Sequence, residues 1–162
     1  MSALRPGATF AFAHPAHALA FGFGAGLAPV APGTAGTLVA WPAAALLVAA
    51  LPPASVLAVV AALFVLGIWC CGVTGRHLGV ADHPGMVWDE MVAFLLILAI
   101  VPGTLAWQCA AFVLFRFFDI AKPPPIRWLE RRHRDGFGVM IDDLLAAGYA
   151  LVVLAVAKRL LA

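Results

Sequence analysis

The sequence predicts an all-α integral membrane protein, a compact bundle of about four to five hydrophobic helices. Three observations lead there. The 162-residue chain is 64% hydrophobic and 11% charged, with a mean hydropathy of +1.02, whereas an ordinary soluble domain is about 25% charged. Its apolar residues gather in runs that reach or approach the length of a bilayer span. Those runs lack the strict alternation that a strand-built barrel requires. The length suits one domain, residues 1–162, with a core at about 20–157.

The elements follow in order. The first run, 37–51, is short for a span, and the second, 54–73, has the roughly 20 residues a span needs. The third and fourth, 88–101 and 104–120, are again short, which points to partial insertion or burial. The fifth, 144–161, ends with Lys158 and Arg159 placed to snorkel. Leu51-Pro52-Pro53-Ala54 and Val101-Pro102-Gly103-Thr104 are tight uncharged breaks. Two hairpins with their turns on one side leave residues 20–37, 74–90 and 116–143 for the other.

That second side carries most of the polar chemistry. Segment 122–134 holds Lys122, Arg127, Arg131, Arg132 and Arg134 against Glu130 alone. The positive-inside rule assigns it to the cytoplasm, facing anionic lipid. An odd number of spans would carry Lys158 and Arg159 to the far side, which argues against five. No basic face with stacking aromatics suggests nucleic acid. Cys70, Cys71 and Cys109 lie in apolar runs and read as packing residues, with neither a disulfide nor a zinc pattern. His14, Pro15 and His17 interrupt the first apolar stretch, making it a poor signal peptide.

Asp89, Glu90, Asp119, Asp142 and Asp143, five of the eight acids, sit at the edges of apolar runs. A carboxylate there costs free energy unless it is paired, hydrated or bound to a cation. Adjacent on a helix, Asp89 and Glu90 point about 100° apart, so one can bind a cation while the other accepts hydrogen bonds or binds from a different angle; the alternative, a charge–dipole contact at a helix start, suits one acid near lipid better than two. Arg116, Asp119 and Lys122 share a helical face. Arg and Lys suit phosphate oxygens and Asp suits a metal, and a salt-bridge ladder is the alternative.

Gly136-Phe137-Gly138 leads into Asp142-Asp143, paired hard ligands suited to Mg²⁺, one of which is a candidate base. Gly33-Thr34-Ala35-Gly36-Thr37 reads equally as an anion-binding loop before a helix or as a turn with Thr34 or Thr37 as N-cap. It lacks the lysine of a Walker loop. Cys70-x₅-Arg76 matches the spacing of a cysteine phosphatase loop, but a buried thiol is a poor thiolate. His83 reads as a loop histidine near the acids.

Taken together, FGFGAGLAPVAPGTAGTL (21–38), VADHPGMVWDEMV (80–92), LFRFFDIAKPPPIRWLE (114–130) and DGFGVMIDDLLAAG (135–148) resemble the bacterial phosphatidylglycerophosphatase A family over about residues 20–150. Thr37 stands where serine is expected, and keeps a hydroxyl. The resemblance implies an integral protein of the bacterial inner membrane. It also implies Mg²⁺-dependent removal of the terminal phosphate of phosphatidylglycerophosphate, yielding phosphatidylglycerol and inorganic phosphate. The KxxxxxxRP…PSGH and DxDxT patterns of other lipid phosphatases are absent, which argues against their phosphoenzymes.

On this reading Asp89, Glu90, Asp142 and Asp143 are catalytic, and the same four with Asp119 are the metal ligands. Gly33, Thr34, Gly36, Thr37, Arg116 and Lys122 hold the phosphate. One or two metals, and any of the acids as base, fit the pattern. The expected partners are the phospholipid substrate and the membrane, with the active site facing the cytoplasm; the sequence fixes no oligomeric state. A small transporter or ion-pathway subunit is the rival, but it would want its acids near the midplane. An assembly protein would leave the twin acid pairs unexplained.

Overall fold

Proline and glycine set most helix boundaries. The computed structural model describes residues 6–161; residues 1–5 and 162 of the expected 1–162 domain lie outside the described residues. The helices are α1 (Ala8–Ala11), α2 (Pro15–Ala20), α3 (Pro32–Ala50), α4 (Pro53–Leu78), α5 (Trp88–Ile100), α6 (Leu105–Ala121), α7 (Ile126–Arg132) and α8 (Gly136–Leu161), with a 3₁₀ segment at Gly22–Leu27. No strand occurs among the described residues. Prolines begin α2, α3 and α4, where the missing N–H has no helical partner to lose. Gly79, at φ 72°, closes α4 in the left-handed conformation, and Val80 N–H donates to Gly75 O at 3.1 Å.

All five expected hydrophobic helices are present. Three of them, α3, α4 and α8, are long and apolar enough to cross a membrane. The 13 residues of α5 make a rod about 20 Å long, short of a hydrocarbon core about 30 Å thick. With α6 it forms a hairpin turned at Val101–Thr104, as the Pro-Gly break predicts.

The centre of the bundle is α5. It packs against α3, α4, α6 and α8, and Val92, Phe94, Leu95, Ile97 and Leu98 are buried. Phe94 meets Trp41, Phe112 and Phe115 at ring separations of 5.4, 5.9 and 6.3 Å, joining α3, α5 and α6 in one aromatic cluster. Trp41 Nε1–H donates to Gln108 Oε1 at 2.6 Å.

Two sequence readings are corrected. Gly33–Thr37 forms the first turns of α3 and is not a loop, and Ala31 holds the N-cap position in place of either threonine. Likewise α8 begins at Gly136, so Asp142 and Asp143 lie in its second turn rather than at its start. Both stretches are rich in glycine, a poor helix former. Close contact requires them to be helical: a Cβ on Gly36 would strike the Val87 side chain, and one on Gly136 would strike the backbone of Ile68 and Gly72 in α4.

Candidate active site

Five helix ends converge on one side of the bundle. Asp89 and Glu90 come from the first turn of α5 and Asp143 from the second turn of α8. Each offers a carboxylate oxygen, and the three oxygens lie within 4.8 Å of one another. The residues are 6%, 9% and 4% exposed. Asp89 Oδ1, Glu90 Oε2 and Asp143 Oδ2 are buried without a hydrogen-bond partner. Charged oxygens left so cost several kcal/mol per ion, on the order of the effective desolvation penalty, unless a cation joins them.

Two cations, Arg116 and Lys122, border these acids. Arg116, near the end of α6, lies 2.6 Å from Asp119 Oδ2 and 3.4 Å from Glu90 Oε1. Its Nε is buried and unpartnered, so one donor is left for a ligand. Arg116 thus ties Asp119 to the cluster through Glu90.

Lys122 ends α6 with φ 42°, and Pro123-Pro124-Pro125 then bars helical continuation. Its Nζ reaches Glu130 Oε1 at 3.1 Å and Asp142 Oδ2 at 3.6 Å. Burial opposes the charge of this ammonium, but the carboxylates of Glu130 and Asp142 outweigh it and hold the lysine pKa above its ordinary value.

The other expected phosphate ligands separate. Gly33 abuts the cluster, for a Cβ there would overlap Glu90 Oε1 and crowd Arg116. Gly36 faces Val87. Thr37 is fully buried, and its hydroxyl donates to Gly33 O at 2.9 Å. Thr34 is half-buried in the same turn. Asp142 stands one step aside from the three-acid cluster, paired to Lys122, with Oδ1 unpartnered. Cys70 is buried inside α4, where Sγ donates to Gly67 O at 3.6 Å; CCGVTGR is helix, not a phosphate loop.

Two acids that the sequence reading left out border the site. Glu130, on α7, tethers Lys122. Asp82 lines a cleft of about 550 Å³ together with Glu130, Arg131, Arg134 and Asp142. Its place in ADHPGMVWDE, within the same polar stretch as Asp89, was the available signal. His83 Nδ1 accepts from Gly85 N–H at 3.0 Å, so this histidine shapes its own turn. Burial lowers its pKa, with Asp82 opposing.

The family model described as phosphatidylglycerophosphatase A matches residues 18–158. A phosphatidylglycerophosphatase A from Haemophilus influenzae is 47% identical over 142 residues, covering 86% of each chain. A phosphatidylglycerophosphatase A from Escherichia coli is 42% identical over 134 residues, covering 82% of this chain and 77% of the relative. A Bacteroides thetaiotaomicron protein, provisionally named a phosphatidylinositol-3-phosphatase, is 43% identical over 147 residues, covering 85% of this chain and 89% of its own. No solved structure matches. With a family match across most of its length and two such relatives above 40% identity, the chain belongs to the phosphatidylglycerophosphatase A family.

Proposed function

We propose that the chain is a Mg²⁺-dependent phosphoric monoester hydrolase. It converts phosphatidylglycerophosphate to phosphatidylglycerol and inorganic phosphate at the cytoplasmic face of a bacterial inner membrane. Family membership supports the substrate. The observation that carries the chemistry is the buried trio Asp89, Glu90 and Asp143, each with an orphaned oxygen. Carboxylate oxygens at this spacing fit a hard divalent cation such as Mg²⁺, and these three residues would hold it, with Asp119 and Asp142 next to them. When bound, the ion polarises phosphoryl oxygens and lowers the pKa of a coordinated water.

The chain's own residues supply the rest. Arg116 directs a free Nε–H toward the phosphate and balances Glu90 and Asp119. Lys122 adds a second cation beside Asp142, so a doubly charged monoester meets two positive side chains. Asp142, which holds one oxygen free of any partner, is positioned to take a proton from an attacking water. Burial of the trio keeps bulk water from weakening these interactions. On α7, Arg131 and Arg132 are exposed, and Arg132 lies 5.5 Å from the centre of the exposed Trp128 ring. An aromatic–basic pair of this kind suits the lipid head-group layer on the cytoplasmic side.

The test is phosphate release from phosphatidylglycerophosphate in mixed micelles, with Mg²⁺ and then with EDTA, beside an Asp142→Asn/Asp143→Asn double variant. Phosphatidylinositol 3-phosphate runs as a second substrate, because one relative carries that name. The expected result is Mg²⁺-dependent release from phosphatidylglycerophosphate that the double variant loses. Release unaffected by EDTA, or full activity in the folded double variant, refutes the site.

A further inference from the structure

A second feature lies beneath the acid cluster. Helices α3 and α4 are joined by a tight turn at Leu51-Pro52, yet they barely touch, while α3 packs extensively on α5. The two helices splay, and an apolar groove of about 220 Å³ opens between them with α5 as its floor. Ala40, Ala44 and Leu47 form one wall, Val59 and Leu63 the other, and Val92 and Leu95 the base. Pro42, inside α3, removes a backbone hydrogen bond at this level. Ala43 at the rim is exposed, so the groove opens sideways, toward lipid.

The groove and the site lie along the same two helices, α3 and α5. Gly33, Thr37, Ala40, Ala44 and Leu47 fall on one face of α3. Gly33 touches the Glu90 carboxylate, and Ala40 begins the groove about 10 Å further along the axis. On α5 the order is the same: Asp89 and Glu90 in the first turn, then Val92 and Leu95 one and two turns deeper. Trp88 spans the junction. Its ring lines the groove, and its Nε1–H donates to Leu63 O at 3.1 Å, so its position is fixed. A lipid whose phosphomonoester reaches Glu90 thus has an apolar groove about 10 Å further along the same two helices.

We propose that this groove is the binding site for one acyl chain of the diacyl phospholipid substrate. The proposal rests on the lipid-phosphatase reading of the acid cluster. The groove places the glycerol backbone so that the terminal phosphate lies at Asp89, Glu90 and Asp143, and it makes activity depend on chain length. Alanines at positions 40, 43 and 44 are what leave the space open.

The experiment fills the groove from either wall. Ala43→Phe changes an exposed rim position that carries no packing load, and Val59→Phe fills the space from α4. Each is assayed on dioleoyl phosphatidylglycerophosphate and on its dihexanoyl counterpart, whose chains are too short to follow the groove. The expected result is a fall of at least tenfold in kcat/KM for the dioleoyl substrate, with less than twofold change for the dihexanoyl one. Equal effects on both substrates, or no effect on either, overturn the proposal. A second measurement uses phosphatidylglycerol with a mid-chain diazirine, photolysed in detergent micelles. Enriched labelling of residues 40–47 and 59–63 that Ala43→Phe abolishes is expected; uniform labelling of all lipid-facing helices overturns it. Failure of the wild-type protein to release phosphate from either substrate would reject the functional reading, while the labelling still decides the groove.

Discussion

Gly33 stands so close to Glu90 that a single methyl group on its Cα would overlap the carboxylate oxygen. The contact changes what the Gly33–Thr37 stretch does. Gly33 is the position that lets α3 press against the acid cluster and holds Glu90 toward Asp89 and Asp143. Gly33→Ala is expected to displace Glu90, cost about 1–3 kcal/mol of stability by overpacking, and lower kcat at least about tenfold, since a tenfold loss needs only 1.4 kcal/mol of transition-state stabilisation. Thr37→Val should cost about 1 kcal/mol of stability, the worth of one internal hydrogen bond, with little change in kcat. Steady-state phosphate release beside thermal unfolding separates the two, and a large kcat loss in Thr37→Val would return that hydroxyl to the phosphate.

The trio Asp89, Glu90 and Asp143 predicts opposite signs for stability and activity. Without a cation, three buried carboxylates repel one another, and one oxygen of each stays unpartnered. Asp143→Asn removes one charge, so its Tm in EDTA is expected to exceed that of the wild type. Mg²⁺ should stabilise the wild type by about 2.7 kcal/mol at a hundredfold excess over Kd, raising its Tm, and stabilise the variant far less. Turnover in the variant should fall by about 10²–10³, the scale on which loss of one preorganised charge-stabilising group is felt. A variant that is less stable in EDTA and still responds fully to Mg²⁺ would remove Asp143 from the site.

Much of this was legible in the sequence because lipid exposure makes burial visible. A carboxylate at the edge of an apolar run is costly wherever it lies, so Asp89, Glu90, Asp119, Asp142 and Asp143 stood out before any geometry. The Pro-Pro and Pro-Gly breaks fixed both hairpin turns for equally local reasons. The helical starts at Pro32 and Gly136 did not show, because glycine argues locally against helix, and only contacts to Val87, Glu90 and Ile68 override that preference. In the sequence Glu130 is a lone acid in a basic loop. Its contact with Lys122 depends on that residue's positive φ, which no periodicity reveals. The N-terminal helices α1 and α2 were missed because four- and six-residue helices carry too few turns for a pattern.

Lys122 joins two acids of different standing. Glu130 is half-exposed, and ion pairs of that kind contribute at most about 1 kcal/mol; Asp142 is buried. Glu130→Gln is therefore expected to change stability by less than about 1 kcal/mol and to leave kcat nearly intact. Lys122→Met should remove a charge-assisted contact to phosphate worth about 1.5–3 kcal/mol and lower kcat/KM by about 10- to 100-fold. Kinetics of both variants at matched ionic strength check the ranking. An Lys122→Met effect no larger than that of Glu130→Gln would make Lys122 a structural tether only.

The N-terminal helices carry a pH dependence separate from the site. His17, on α2, is 4% exposed. Its Nδ1 lies 3.1 Å from Phe10 O, and its Nε2 lies 2.8 Å from His77 Nδ1 on α4. A carbonyl only accepts, so the neutral His17 ring carries its proton on Nδ1, and Nε2 accepts from His77. Burial lowers the His17 pKa; the Phe10 carbonyl works against this, and His77 and His14 add to the lowering. The undocked or unfolded histidine, with a pKa near 6.5, therefore binds a proton before the docked one does. Stability from this contact is complete above about pH 6.5 and is lost as pH falls below it. Between pH 7.5 and 5.5 the wild-type Tm should drop more than that of His17→Gln, because the docked ring resists the proton that the free one takes up. Amide exchange across residues 8–20 should rise over the same interval in the wild type. Parallel pH profiles for the two proteins, with unchanged exchange in that segment, would show that the His17–His77 contact does not hold α2 against α4.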